Sequence, residues 1–201
     1  MSMLLGFPAL HRRDGRLLFG ISLIFFLMKT LFSAQIPYSL EKAQKVLKII
    51  DTVRSEQQEG RLRTNKAVVT EDELNAYIAY RIDVEREEVM KELQLKFYAN
   101  NRLEGKIGID LRGQNLPFSL KPKMSIFFSA DLEIRDASAR IHMKEIFLEG
   151  QKIEPAILDF IIAIGASLSN ETASRISDWY YLPYGIKDVR TEQGQAVFYF
   201  Q

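Results

Sequence analysis

From Val89 to about Leu148 apolar residues recur at every second position, the period of a strand and not of a helix. Leu93, Leu95, Phe97 and Ala99 alternate with Glu92, Gln94, Lys96 and Tyr98. Asn100-Asn101 predicts a turn, after which Leu103, Ile107, Ile109 and Leu111 alternate back. Beyond a loop from Pro117 to Pro122, Met124, Ile126, Phe128, Ala130, Leu132 and Ile134 share one face. Asp136 opens the next turn, and Ala139, Ile141 and Met143 return. Around Lys144-Glu145 the alternation slips by one, so that Ile146 and Leu148 resume the inward face; the slip predicts a β-bulge. Four long strands with one apolar face make an antiparallel meander, and that face must be covered.

The stretch PAILDFIIAIGASLS supplies the expected cover. Pro155 suits the first helical position, and the helix should run to about Leu168. Its apolar residues go nearly all the way round, with Asp159 the only charge. The expected fold class is therefore α+β, a long antiparallel sheet covered by this apolar helix. A second short helix is predicted from a cap at Ser169 or Asn170 through Asp178, leading to WYYLPYG. A hairpin closes the chain: Ile186 to Arg190, a turn at Glu192-Gln193-Gly194, then Ala196 to Phe200.

Two helices precede the sheet. Ser39 can cap one reading LEKAQKVLKIIDTVRSEQQEG, with Leu40, Ala43, Val46, Leu47, Ile50 and Val53 on one stripe and Gly60 as its stop. That stripe suits a helix packed on the domain better than a stalk or self-associating helix, because two heptads are short for a coiled coil. The second, KAVVTEDELNAYIAYRI, carries a capping box at Thr70 and Glu73, with Leu74, Tyr77, Ile78 and Ile82 as its buried face. Val68 and Val69 predict a short strand leading into it.

At the N-terminus LLFGISLIFFLM runs from Leu17 to Met28 without a charge. Read as a helix to Ala34, it rises about 27 Å, close to a bilayer's hydrocarbon thickness. His11, Arg12, Arg13 and Arg16 before it keep the N-terminus cytoplasmic by the positive-inside rule. A cleaved signal peptide is the competing reading, disfavoured because cleavage after Ala34 sets Phe32 where a small residue is wanted. The expected organisation is a cytoplasmic stub and transmembrane anchor over 1–35, a juxtamembrane helix over 36–62 and an extracytoplasmic α+β domain over 63–201.

The chemistry of known catalytic and metal sites is missing from the sequence. Among 201 residues there is no cysteine, which removes disulfides, thiolate metal sites and cysteine nucleophiles. Basic and acidic side chains number 27 and 26 and are interleaved, which argues against a nucleic-acid partner. Of the two histidines, His11 lies in the leader and His142 at an outward strand position. Glu85, Glu87 and Glu88 read as a solvated connection, and Asp159 as a domain-edge position or a paired carboxylate. No enzyme activity, cofactor or metal is expected.

What remains is an excess of apolar surface on the sheet and on the helix from Pro155. The two either form a dry core or leave a cleft fit for an acyl chain, since both use the same residues. Trp179, Tyr180, Tyr181 and Tyr184, with Pro183, could line an opening of that cleft or lie at a membrane interface, or be ordinary edge packing. VTEDELNAYIA, the alternating strands and QKIEPAILDFI together resemble anchored bacterial envelope proteins with tubular lipid-binding (TULIP-like) or YceB-like domains, over roughly Val68 to Gln201. This chain lacks their lipobox cysteine, so the apolar helix would be its anchor. The resemblance implies a long curved antiparallel sheet wrapped around the apolar helix, in a periplasmic domain on the bacterial inner membrane that binds a lipid or other hydrophobic ligand, with no transferable catalytic residues. The expected lining is Leu95, Phe97, Ile109, Phe128, Leu132, Ile141, Phe160 and Ile164. The rival is a solid-cored envelope scaffold that docks a protein partner through the helix from Ser39, near Lys45 and Lys48, and through the sheet edge.

Overall fold

Helix α1 (Leu40–Gln58) begins where a hydroxyl can take an orphan amide: the Ser39 side chain accepts from the Lys42 N–H at 3.3 Å. The structure is a computed structural model that describes residues 38–85, 89–113, 121–168 and 172–201. The expected membrane anchor, most of the loop expected from Pro117 to Pro122 and the expected helix cap at Ser169 or Asn170 lie outside those residues. Among the described residues no helix is long and apolar enough to cross a membrane. The stripe of α1 buries Ala43, Val46 and Val53, whereas Leu40 is half exposed at the helix start.

Strand β1 (Lys66–Thr70) leads directly into helix α2 (Glu71–Glu85). The capping box forms as expected: the Glu73 amide donates to Thr70 Oγ1 at 3.3 Å, and the Thr70 amide donates to Glu73 Oε2 at 3.0 Å. α1 lies on α2, with Ala43 and Val46 of one and Ala76, Tyr77 and Ile78 of the other in one core. Lys42–Asp72 at 2.6 Å and Lys45–Glu73 at 3.4 Å fringe that contact. Such exposed pairs contribute at most about 1 kcal/mol each, so apolar burial holds the two helices together.

The meander follows as β2 (Met90–Phe97), β3 (Arg102–Asp110), β4 (Lys123–Arg135) and β5 (Ser138–Leu148), extended by a short β6 (Gln151–Lys152). Three tight turns use paired left-handed residues: Asn100 and Asn101 (φ 63° and 58°), Asp136 and Ala137 (φ 51° and 54°), and Glu149 and Gly150 (φ 49° and 83°). Two such residues give the type I′ geometry that matches strand twist. The expected bulge is real: Ser129 pairs with Glu145 and Ala130 with Met143, so Lys144 is the extra residue. The sheet is strongly curled, an antiparallel half-barrel. Asn75 of α2 closes the free edge of β2 by accepting from the Leu95 amide at 2.8 Å and donating to the Leu95 carbonyl at 2.7 Å. Glu71 takes the Phe97 amide at 2.9 Å. Two side chains of the TEDELN segment thus stand in for a neighbouring strand.

Helix α3 (Pro155–Leu168) departs from expectation. Leu158, Ile161 and Ile162 enter the same core as Ile107, Ile109 and Ile126, but Phe160 is 44% exposed. Asp159 faces neither open water nor the core; its carboxylate accepts the Ile176 amide at 2.9 Å. The predicted short helix through Asp178 is not formed over 172–178. Asp178 captures the Arg175 amide at 2.9 Å while its own amide bonds the Arg175 carbonyl, and these local bonds compete with a helix. β7 (Tyr180–Tyr181) then pairs with the start of β5.

The C-terminal hairpin, β8 (Ile186–Glu192) and β9 (Gln195–Phe200), joins β1 in a second sheet of order β1-β9-β8. It is tied to the end of the large sheet through Thr191. The Thr191 amide donates to Asn101 Oδ1 at 2.8 Å, and its hydroxyl to the Tyr98 carbonyl at 2.6 Å. The concave face of the half-barrel is therefore covered by three helices and a small sheet, and not by α3 alone.

Candidate functional site: an apolar cavity under the helix pair

Where the half-barrel meets α1, α2 and the small sheet, the side chains do not fill the space. A cavity of about 240 Å³ remains. α1 supplies Val46, Ile50 and Val53 to its wall, α2 supplies Leu74 and Tyr77, and the small sheet supplies Val189 and Phe198. The segment Leu182–Tyr184 runs past one side. Interiors normally pack to crystal-like density, so a void of this size is unusual for a domain this small.

One cause of the space is legible in the large sheet. Gly105 faces Phe128 on the adjacent strand, and a β-carbon there would lie 2.3 Å from the Phe128 ring. The missing side chain lets that ring lie back onto the sheet and away from the void. Curvature is the second cause: β4 and β5 bend at the Lys144 bulge, while α1 and the hairpin span the hollow.

The wall is electrostatically quiet. The Thr191 hydroxyl is spent on the Tyr98 carbonyl. The Tyr77 hydroxyl accepts from Arg81 Nη1 at 2.9 Å, and burial pushes its pKa up, keeping it neutral. A space walled by alkyl and aromatic groups offers water few partners and favours hydrocarbon.

Of the eight residues expected to line a site, Leu95, Phe97, Phe128, Leu132 and Ile141 are in this wall. Ile109, Phe160 and Ile164 are not. Ile109 is buried in the core that α3 joins, Ile164 is half buried beside that core, and Phe160 faces solvent. The expected location between sheet and α3 is thus replaced by one under α1 and α2. Sequence reasoning missed the α1 stripe and the hairpin as wall, although the period of α1 did mark Val46 and Val53. Of the aromatic set only Tyr184 lines the cavity, together with Pro183; Tyr180 is buried away from it, Tyr181 is exposed, and Trp179 lies against Arg135 and Arg140, at 4.6 and 5.8 Å.

The polar candidates make local contacts away from the cavity. His142 contacts Glu133 at 2.5 Å on the outer face, and that hydrogen bond holds the Glu133 carboxyl below the usual glutamate range. Glu85 pairs with Arg81. Among the described residues no group of histidines and carboxylates is arranged to hold a metal ion. No family model matches the chain, and no curated protein and no solved structure matches it.

Proposed function

We propose that this chain is a membrane-anchored, extracytoplasmic, non-enzymatic domain that binds a lipid or other hydrophobic ligand. The observation that carries the reading is the cavity of about 240 Å³ walled by apolar side chains. An unfilled apolar hollow costs stability, roughly 20 cal/mol for each Å² of its surface, and a bound hydrocarbon recovers that loss. The curled sheet is of the kind that the resemblance to envelope lipid-binding domains implies. The charge-free run Leu17–Met28 behind a basic cluster supports an anchor and an extracytoplasmic domain on the bacterial inner membrane.

The scaffold reading draws less support. The apolar stripe of α1 is spent inside the core, Lys45 is engaged with Glu73, and the edge of β2 is closed by Asn75. The test is native mass spectrometry of the full chain, wild type beside Leu132→Trp, which fills the hollow. Retention of a lipid or fatty chain at unit stoichiometry by the wild type, lost in the variant, is the expected result. Equal retention by both proteins, or none by either, would count against a cavity ligand.

A further inference from the structure

Resting on the reading of the cavity as a ligand site, we propose that the ligand is a single-chain fatty carboxylate of medium length, its chain enclosed and its carboxylate held at the rim by Arg54. Size sets the chain. A void of about 150 Å³ suffices for benzene, so about 240 Å³ takes one chain of roughly ten carbons and no second chain beside it. Chemistry excludes the head group from the interior, because the surface that the wall turns to the cavity is wholly apolar and the Thr191 hydroxyl is already donated to the Tyr98 carbonyl. A polar head left inside would lose its hydration without gaining partners. It must sit at the rim.

The rim has a cation. Tyr184 lines the cavity, and the Arg54 guanidinium lies over its ring at 5.0 Å. Arg54 follows Val53, a wall residue, on α1, and it is exposed. Among the described residues it enters no ion pair, in contrast to Arg81, the other guanidinium against a wall tyrosine, which is tied to Glu85. Asp51, on the preceding turn of α1, forms no ion pair with Arg54, and Glu56, two residues on, is engaged with the Arg63 and Thr64 amides at 2.9 and 2.7 Å. The aromatic platform is fixed. Tyr184 and Gly185 take left-handed backbone angles (φ 55° and 64°), and the Gly185 carbonyl accepts the Gln201 amide at 2.9 Å. A guanidinium stacked on such a ring keeps its planar donor edge free, which matches the two oxygens of a carboxylate.

The experiment is photolabelling of the full chain with two diazirine-bearing probes of equal length, decanoate and the uncharged decanol, followed by mass spectrometry of the peptides containing Leu132 and Ile141. Arg54→Gln and Arg54→Lys are compared with wild type, and Arg54 is exposed enough for both variants to fold. Decanoate should label these peptides; Arg54→Gln should cut that labelling about fivefold, and Arg54→Lys should restore part of it. Decanol labelling should not change in either variant. Decanoate labelling that ignores Arg54→Gln overturns the assignment of Arg54 while leaving the cavity reading intact. A monoacyl phosphate probe that labels more strongly than decanoate would replace the carboxylate by a phosphate head. Failure of both decanoate and decanol to label the cavity peptides overturns the cavity reading itself.

Discussion

Replacing Gly105 by alanine should close part of the cavity from within at little cost to stability. The new methyl would meet the Phe128 ring at 2.3 Å and the Gln94 carbonyl oxygen at 3.0 Å. Carbon–carbon contact is comfortable near 3.5 Å, so the ring must withdraw by about 1.2 Å. The backbone on the Gln94 side cannot yield, but Phe128 lines the void and can swing into it. Displacing a core side chain ordinarily costs about 1–3 kcal/mol. Removing a flexible glycine from the unfolded chain returns about 0.4–1 kcal/mol. The net loss should be under about 2 kcal/mol by urea denaturation, followed by the fluorescence of Trp179. In chain-length competition against the bound ligand, the preferred chain should shorten by one or two methylenes, each worth about 0.8 kcal/mol. A destabilisation above about 3 kcal/mol with an unchanged length preference would refute the reasoning, because it would mean that Phe128 has no space to enter.

Other perturbations test the frame around the cavity. Asn75→Leu strands both the amide and the carbonyl of Leu95 and should cost about 2–4 kcal/mol by urea denaturation; a loss under about 0.5 kcal/mol would show that the edge needs no clamp. The Thr70 amide holds the Glu73 carboxyl below the ordinary glutamate range. Its folded pKa is depressed, so its contribution is fully present above about 4.5 and is lost as pH falls below that value. Glu73→Gln should therefore flatten the acid limb of the stability profile measured by thermal melts from pH 7 to 3, and an unchanged slope would remove the capping box from the acid response. Gly185→Ala combines a left-handed backbone with a collision against Gln57, whose side-chain nitrogen would lie 1.9 Å from the new carbon. It should displace the Tyr184 platform, weakening retention of an anionic chain more than that of a neutral one in the photolabelling assay.

The strands were readable because side-chain direction alternates strictly along them, so one apolar face leaves a period-2 record. The Lys144 bulge was readable for the same reason, as a break in that record. The capping box was readable because its two partners are three residues apart. Asn75 was not. Its partner Leu95 lies twenty residues along the chain, and only the docking of α2 against β2 brings them together. The helix expected before Asp178 fails partly for a similar reason: beside the local bonds between Asp178 and Arg175, the distant Asp159 takes the Ile176 amide.

By itself, the sequence determined most of the elements and their apolar faces, because these follow from period and spacing within short windows. Tertiary structure decided which element covers which part of the sheet, and therefore where the hollow lies. Apolar residues pack against any apolar neighbour, so Phe160 and Phe128 look alike in sequence. One ends half exposed and the other in the wall of a cavity. The hydrophobic effect has no direction, and only the curl of the sheet and the path of the hairpin across its mouth gave it one.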